Sequence, residues 1–97
     1  MLKSMSELSQ ILYKKVTVIN ELGVHARSAA MIAKIAQNAQ ASVWLEKDGE
    51  KVDATSIIDI LTLTCAKGTD VTITIDDPSD LKILNDIVRM FNKGFGE

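Results

Sequence analysis

Two hydrophobic periods alternate along this chain. Between Ile11 and Ile19 the chain is rich in β-branched residues and its faces alternate toward the end, with Val16 and Val18 on one face and Lys15, Thr17 and Ile19 on the other. A period of two built from β-branched residues predicts a half-buried strand. Asn20-Glu21-Leu22-Gly23 reads as a loop. From Ala26 to Ala39 the period lengthens, and Ala29, Ile32, Ile35, Ala36 and Ala39 follow the i, i+3, i+4 rule of an amphipathic helix. Its many alanines let it lie close to whatever it covers. Ser42 to Lys47 alternates again, with Val43 and Leu45 inward and Trp44 and Glu46 outward. Asp48-Gly49 is a hairpin turn signal that returns the chain along Glu50 to Asp53. Ser56 to Thr64 predicts a short helix, capped by Ser56 with Asp59 three residues on; Lys67-Gly68 ends that element. Val71, Ile73 and Ile75 then alternate with Thr72 and Thr74, a strand with one wet face. Asp77-Pro78 opens a last helix, because Asp caps and Pro fits the first helical position. Leu81, Leu84, Val88 and Phe91 give its buried stripe, and Gly94 stops it.

The order is β-α-β-β-α-β-α. It predicts an α+β fold in which three helices cover one face of a four-stranded antiparallel sheet. The other face, with Thr17, Trp44, Glu46, Thr72 and Thr74, is left to water. Residues 1–10 hold three serines and no strong periodicity, and read as a flexible extension with a second start at Met5; residues 11–97 read as one domain. Ninety-seven residues, 46% of them hydrophobic and 25% charged, suffice for a single core. A net charge of −2 argues against a binder that lives on phosphate contacts to nucleic acid. One cysteine, Cys65, makes no internal disulfide, and no run nears the roughly 20 apolar residues of a membrane span. A soluble, cytoplasmic domain is expected, with no metal site and no cofactor.

The only histidine is His25, within Gly23-Val24-His25-Ala26-Arg27-Ser28-Ala29-Ala30, where a loop becomes a helix. Helix N-termini present unpaired N–H groups and partial positive charge, and so bind anions. The same positive end favours a neutral, nucleophilic imidazole. Arg27 adds a charged fork for phosphate oxygens. Nucleophile, amides and cation together suit carriage of a phosphoryl group on nitrogen. Turnover is not expected: no second histidine exists, and no carboxylate is obviously placed to act as a base. By spacing alone, Gly-x-His-x-Arg is short and unspecific, and a lone histidine at a helix start is commonly a cap or a surface residue.

Gly-Val-His-Ala-Arg followed by small residues, after a Val-Thr-Val-Ile strand, resembles the histidine-containing phosphocarrier protein HPr of the bacterial sugar phosphotransferase system. The Asp48-Gly49 turn, Ser56 opening a short apolar helix, Ala66-Lys67-Gly68-Thr69 before a Val-Thr-Ile strand, and the final helix fall at that family's intervals without an insertion. The resemblance spans Ile11 to Gly94. It implies an open-faced β-sandwich. It also implies a monomeric carrier without turnover of its own, which takes a phosphoryl group from phospho-enzyme I and passes it to enzyme II A components. His25 matches the phosphorylated histidine, with Nδ1 the nitrogen implied, and Arg27 its partner arginine. Ser28 departs from the proline usual at its position. Serine returns a backbone N–H and a hydroxyl beside the anion site, which bears on transfer rate and on the lifetime of the phosphorylated form.

The second helix is apolar all round. With Ile60 and Leu63 inward, Ile57, Ile58 and Leu61 face out as an apolar patch of the kind that marks a partner surface. By resemblance this helix and the first, which carries Lys34, dock onto enzyme I and the enzyme II components. Ser56 matches a regulatory serine, the target of HPr kinase/phosphorylase where that enzyme exists, and is also simply a good N-cap. Cys65 is expected in the core, and Trp44 on the open face of the sheet. Two other readings compete. A split-βαβ nucleic-acid-binding domain has a similar element order, but it stacks bases on aromatics of an open sheet face. Only Trp44 and Tyr13 could serve here, and the basic surface is missing. A regulatory HPr paralogue with little phosphotransfer is favoured by Ser28 and disfavoured by the retention of His25 and Arg27.

Overall fold

The computed structural model describes residues 12–97. Ile11 of the first strand and the extension over residues 1–10 lie outside the described residues. The elements are β1 (Tyr13–Thr17), α1 (Ala26–Ala36), β2 (Val43–Lys47), β3 (Glu50–Asp53), α2 (Ile57–Thr62), β4 (Asp70–Ile75) and α3 (Leu81–Asn92). Short 3-10 turns flank α3 at Pro78–Asp80 and Gly94–Gly96. The strands form one antiparallel sheet in the order β1-β4-β2-β3. The expected α+β architecture is therefore the observed one.

Alternation decides which side chains meet the helices. Val16, Val43, Leu45, Val71, Ile73 and Ile75 are buried beneath them, while Thr17 is exposed and Trp44, Glu46, Thr72 and Thr74 are half-buried on the open face. On that face the Trp44 Nε1–H donates to Asp76 at 3.1 Å, and the Lys51 ammonium lies 4.9 Å from the centre of the indole. Strand β1 is shorter than its pattern: Val18 is buried and still exchanges backbone hydrogen bonds with Gly68 and Thr69, but Ile19 is half-exposed as the chain turns away.

Helix α1 lays Ser28, Ala29, Ile32, Ala33 and Ala36 on the sheet, with Ile35 and Ala39 at the margin. It ends at Ala36, three residues before the pattern predicts. In the connection to β2, Asp80, 2% exposed, accepts the Gln40 and Ala41 amides at 2.8 and 2.9 Å. Helix α2 has six residues, far too few to stand alone. It is held by burial of Ile60, with Leu63 just beyond it, and by Lys47, whose ammonium donates to the carbonyls of Leu63 and Thr64 at 2.9 and 3.0 Å. Burial of a side chain such as Ile60 contributes about 2 kcal/mol. The buried stripe of α3 is Leu84, Ile87 and Phe91. Val88 lies at its edge and Leu81 is exposed, a correction to the stripe expected from spacing. A 3-10 turn follows Pro78, so Leu81 opens the α-helix on an exposed first turn.

Candidate functional site

His25 is placed by two turns of chain. Asn20 C=O accepts the Gly23 amide at 3.0 Å, and the Val24 amide donates to the Cys65 carbonyl at 2.8 Å. Gly23 has φ +65°, and a Cβ there would stand 2.6 Å from the Cys65 oxygen and 3.0 Å from the Ala66 Cα. Only glycine combines that backbone with that approach. The loop is thereby pinned against the segment after α2, and His25 becomes the N-cap of α1.

The imidazole is gripped at both nitrogens. Nδ1 accepts the Arg27 backbone N–H at 3.3 Å. Nε2 donates to Oε2 of Glu97. Arg27 is exposed, and its guanidinium donates to Glu97 Oε2 at 3.2 Å and to the Phe95 carbonyl at 3.0 Å. Oε1 of Glu97 accepts from Asn20 Nδ2 at 2.9 Å, and the same amide nitrogen donates to the Gly23 carbonyl at 2.7 Å. These contacts, led by the Asn20 hydrogen bond and then by His25, hold the Glu97 carboxyl below the usual carboxylate range.

Glu97 and Asn20 carry no signal in the sequence, where no carboxylate is obviously placed to act as a base; the fold brings the Glu97 carboxylate onto the histidine. No periodicity links residues 72 positions apart. The chain reaches back because Gly94 and Phe95 both adopt positive φ, +58° and +57°, with the Phe95 ring buried edge-on against Phe91. Among the described residues, no three His, Cys, Asp or Glu side chains converge where they could hold a metal ion.

Ser28 is fully buried, and its hydroxyl accepts the His25 amide at 2.9 Å and donates to the His25 carbonyl at 3.2 Å. The hydroxyl expected beside the anion site is thus spent on the backbone of His25, where it closes a capping box.

Helix α2 packs beside α1. Ile57 and Ile58 are 39% and 75% exposed, as the outward facing requires. Leu61 differs: it is half-buried against the core and contributes only an edge to the patch. Leu22, in the loop before His25, is 72% exposed; a lone apolar residue in a loop gives no sequence signal. Ser56 caps α2 through a 3.2 Å bond from the Asp59 amide. Lys34 is exposed in the last turn of α1, and Cys65 is buried, its thiol pushed up by that burial.

An imidazole at a helix N-terminus, flanked by an arginine and open to a surface with exposed apolar residues, is the equipment of a protein that carries a group between other proteins. The chain matches the model of the phosphotransferase system HPr component phosphorylation site over residues 12–93. It is 32% identical over 87 residues to the phosphocarrier protein HPr of Cupriavidus necator, covering 90% of this chain and 98% of that one. It is 37% identical over 83 residues to the phosphocarrier protein NPr of Klebsiella oxytoca, covering 84% and 92%. The crystal structure of HPr-C-His from Thermoanaerobacter tengcongensis superposes with a TM-score of 0.79 at 31% identity, covering 88% of this chain and 96% of that one. The chain belongs to the HPr family of phosphotransferase-system phosphocarriers. As a member it is a cytoplasmic phosphoryl carrier without catalytic turnover, served by enzyme I and enzyme II proteins of that system. No helix among the described residues is long and apolar enough to cross a membrane.

Proposed function

We propose that His25 is the residue that carries the phosphoryl group, accepting it on Nδ1 from phospho-enzyme I and passing it to a II A component. The observation that carries this reading is the cap geometry: Nδ1 faces the first-turn amides of α1 while Nε2 is held by Glu97. In the transfer the donor's N–P bond breaks and an Nδ1–P bond forms. The Arg27 amide is released from Nδ1 as that bond forms, and the phosphoryl oxygens then meet the amides of the first turn, which with the helix dipole favour a bound anion. Arg27 lies within reach as a charged donor of fork geometry.

Ile57, Ile58, the edge of Leu61 and Lys34 form the docking face, in which exposed apolar side chains supply burial and lysine supplies steering. The carrier works as a monomer. Ser56 is its regulatory position: a phosphate there, placed by HPr kinase/phosphorylase, adds roughly −1.5 to −2 charge beside Ile57 and Ile58 and disfavours docking without unfolding α2. The test is incubation with enzyme I, phosphoenolpyruvate and magnesium. The expected result is an acid-labile mass increase of one phosphate that is absent in His25→Ala. Label retained in that variant overturns the assignment.

A further inference from the structure

We infer that Glu97 is a positioning residue for phosphoryl acceptance, gripping the imidazole of His25 through Nε2–H so that the proton stays on Nε2 and the lone pair on Nδ1. The inference rests on the reading of His25 as the acceptor and adds what prepares it.

Two contacts fix one tautomer. An ionised carboxylate only accepts hydrogen bonds, so the proton shared with Glu97 Oε2 belongs to Nε2. On the other side of the ring the Arg27 amide donates to Nδ1, which therefore bears a lone pair. The carboxylate is itself held in place. Oε1 is fixed by Asn20, a residue only 6% exposed, and Asn20 is tied to the Gly23 carbonyl at the start of the histidine loop. Oε2 also accepts from Arg27, whose guanidinium is anchored on the Phe95 carbonyl. The side chain of Glu97 is 17% exposed, so this is a partly covered contact and not a surface encounter. Its lowered protonation range keeps it an acceptor at neutral pH.

The consequence is chemical. When the Nδ1–P bond forms and the donor's N–P bond breaks, Nδ1 has no proton to lose and gives up only the hydrogen bond from the Arg27 amide. The ring gains positive charge, the proton on Nε2 stays where it is, and the Glu97 carboxylate lies against that charge. Forward transfer reverses each of these changes, so no proton moves in either direction. An orienting carboxylate on the far nitrogen of a histidine performs the same service in nucleophilic triads.

The experiment uses the full chain labelled with 15N-histidine. In the wild type the Nε2–H proton is expected as a slowly exchanging, downfield resonance at neutral pH. Glu97→Ala is expected to lose it, and Glu97→Gln, which keeps an acceptor without the charge, to weaken it. Acceptance from phospho-enzyme I is expected to slow roughly tenfold in Glu97→Ala, with Glu97→Gln intermediate and the melting curve unchanged. A resonance indifferent to Glu97→Ala, or acceptance at the wild-type rate in that variant, overturns the inference. The spectroscopic arm needs no phosphoryl donor. A wild-type chain that takes no phosphate therefore overturns the carrier reading, whereas a chain that takes phosphate at a rate blind to Glu97 overturns this inference alone.

Discussion

Replacing Gly23 by alanine tests how the histidine loop is held. The new Cβ would stand 2.6 Å from the Cys65 carbonyl oxygen and 3.0 Å from the Ala66 Cα, both backbone atoms, on a residue at φ +65°. An L-residue in the left-handed region costs about 1–2 kcal/mol. The overlap forces the loop away from the segment after α2, at about 1–2 kcal/mol for overpacking. The 2.8 Å bond from Val24 to Cys65 is then lost, at about 1 kcal/mol. The total is about 3–5 kcal/mol, which in a domain of this size lowers the melting temperature by at least about 12 °C. Gly49→Ala is the control. It has φ +83° with nothing within 4 Å of the added carbon, so it carries only the conformational cost of about 1–2 kcal/mol. Urea titrations of both variants give the comparison. Equal losses, within about 0.5 kcal/mol, would refute the close-approach argument.

Asp80→Ala frees two backbone amides beside a buried position and should cost about 3 kcal/mol in a urea titration; a loss under about 1 kcal/mol would mean that water replaces the carboxylate. Ile58→Ser alters a side chain that is 75% exposed, so stability should change by less than about 0.5 kcal/mol while affinity for enzyme I falls in calorimetry; unchanged affinity would move the docking face elsewhere. Asp77 is held below the ordinary aspartate range first by the Ser79 backbone amide, so its contribution is present above about pH 4 and disappears as pH falls through the lowered folded value. Asp77→Asn should therefore flatten the acid limb of the stability profile, and an unaltered limb would assign that limb to other carboxylates.

Much of the architecture was legible because local signals agreed with one another. Alternation at Val71, Ile73 and Ile75, the Asp48-Gly49 turn and the Ser56 cap each specify an element without help from the rest of the chain. The histidine was legible for the same reason: Gly23 and His25 lie two residues apart and their turn chemistry is local. What escaped was set by tertiary contact. Leu61 reads as outward by spacing, but its half-burial depends on how α2 leans on the core. Leu81 opens α3 directly after a 3-10 turn and is exposed there, while Ile87 joins Leu84 and Phe91 in the buried stripe, a facing set by how the helix seats on the sheet. Glu97 reaches His25 only through three consecutive positive-φ residues after α3, Gly94, Phe95 and Gly96, and the strain at Phe95 is offset by burial of its ring. A phenylalanine in that conformation has no sequence signature, and neither does the pairing of Asn20 with a carboxylate 77 residues away.

The central claim is that Nδ1 of His25 is the nucleophile. Phosphorylating the 15N-histidine-labelled chain with enzyme I and phosphoenolpyruvate, then recording phosphorus and long-range nitrogen couplings, addresses it most directly. A single phosphoryl group bonded to Nδ1, with the proton retained on Nε2, is expected. A phosphoryl group on Nε2, or on any residue other than His25, would contradict it.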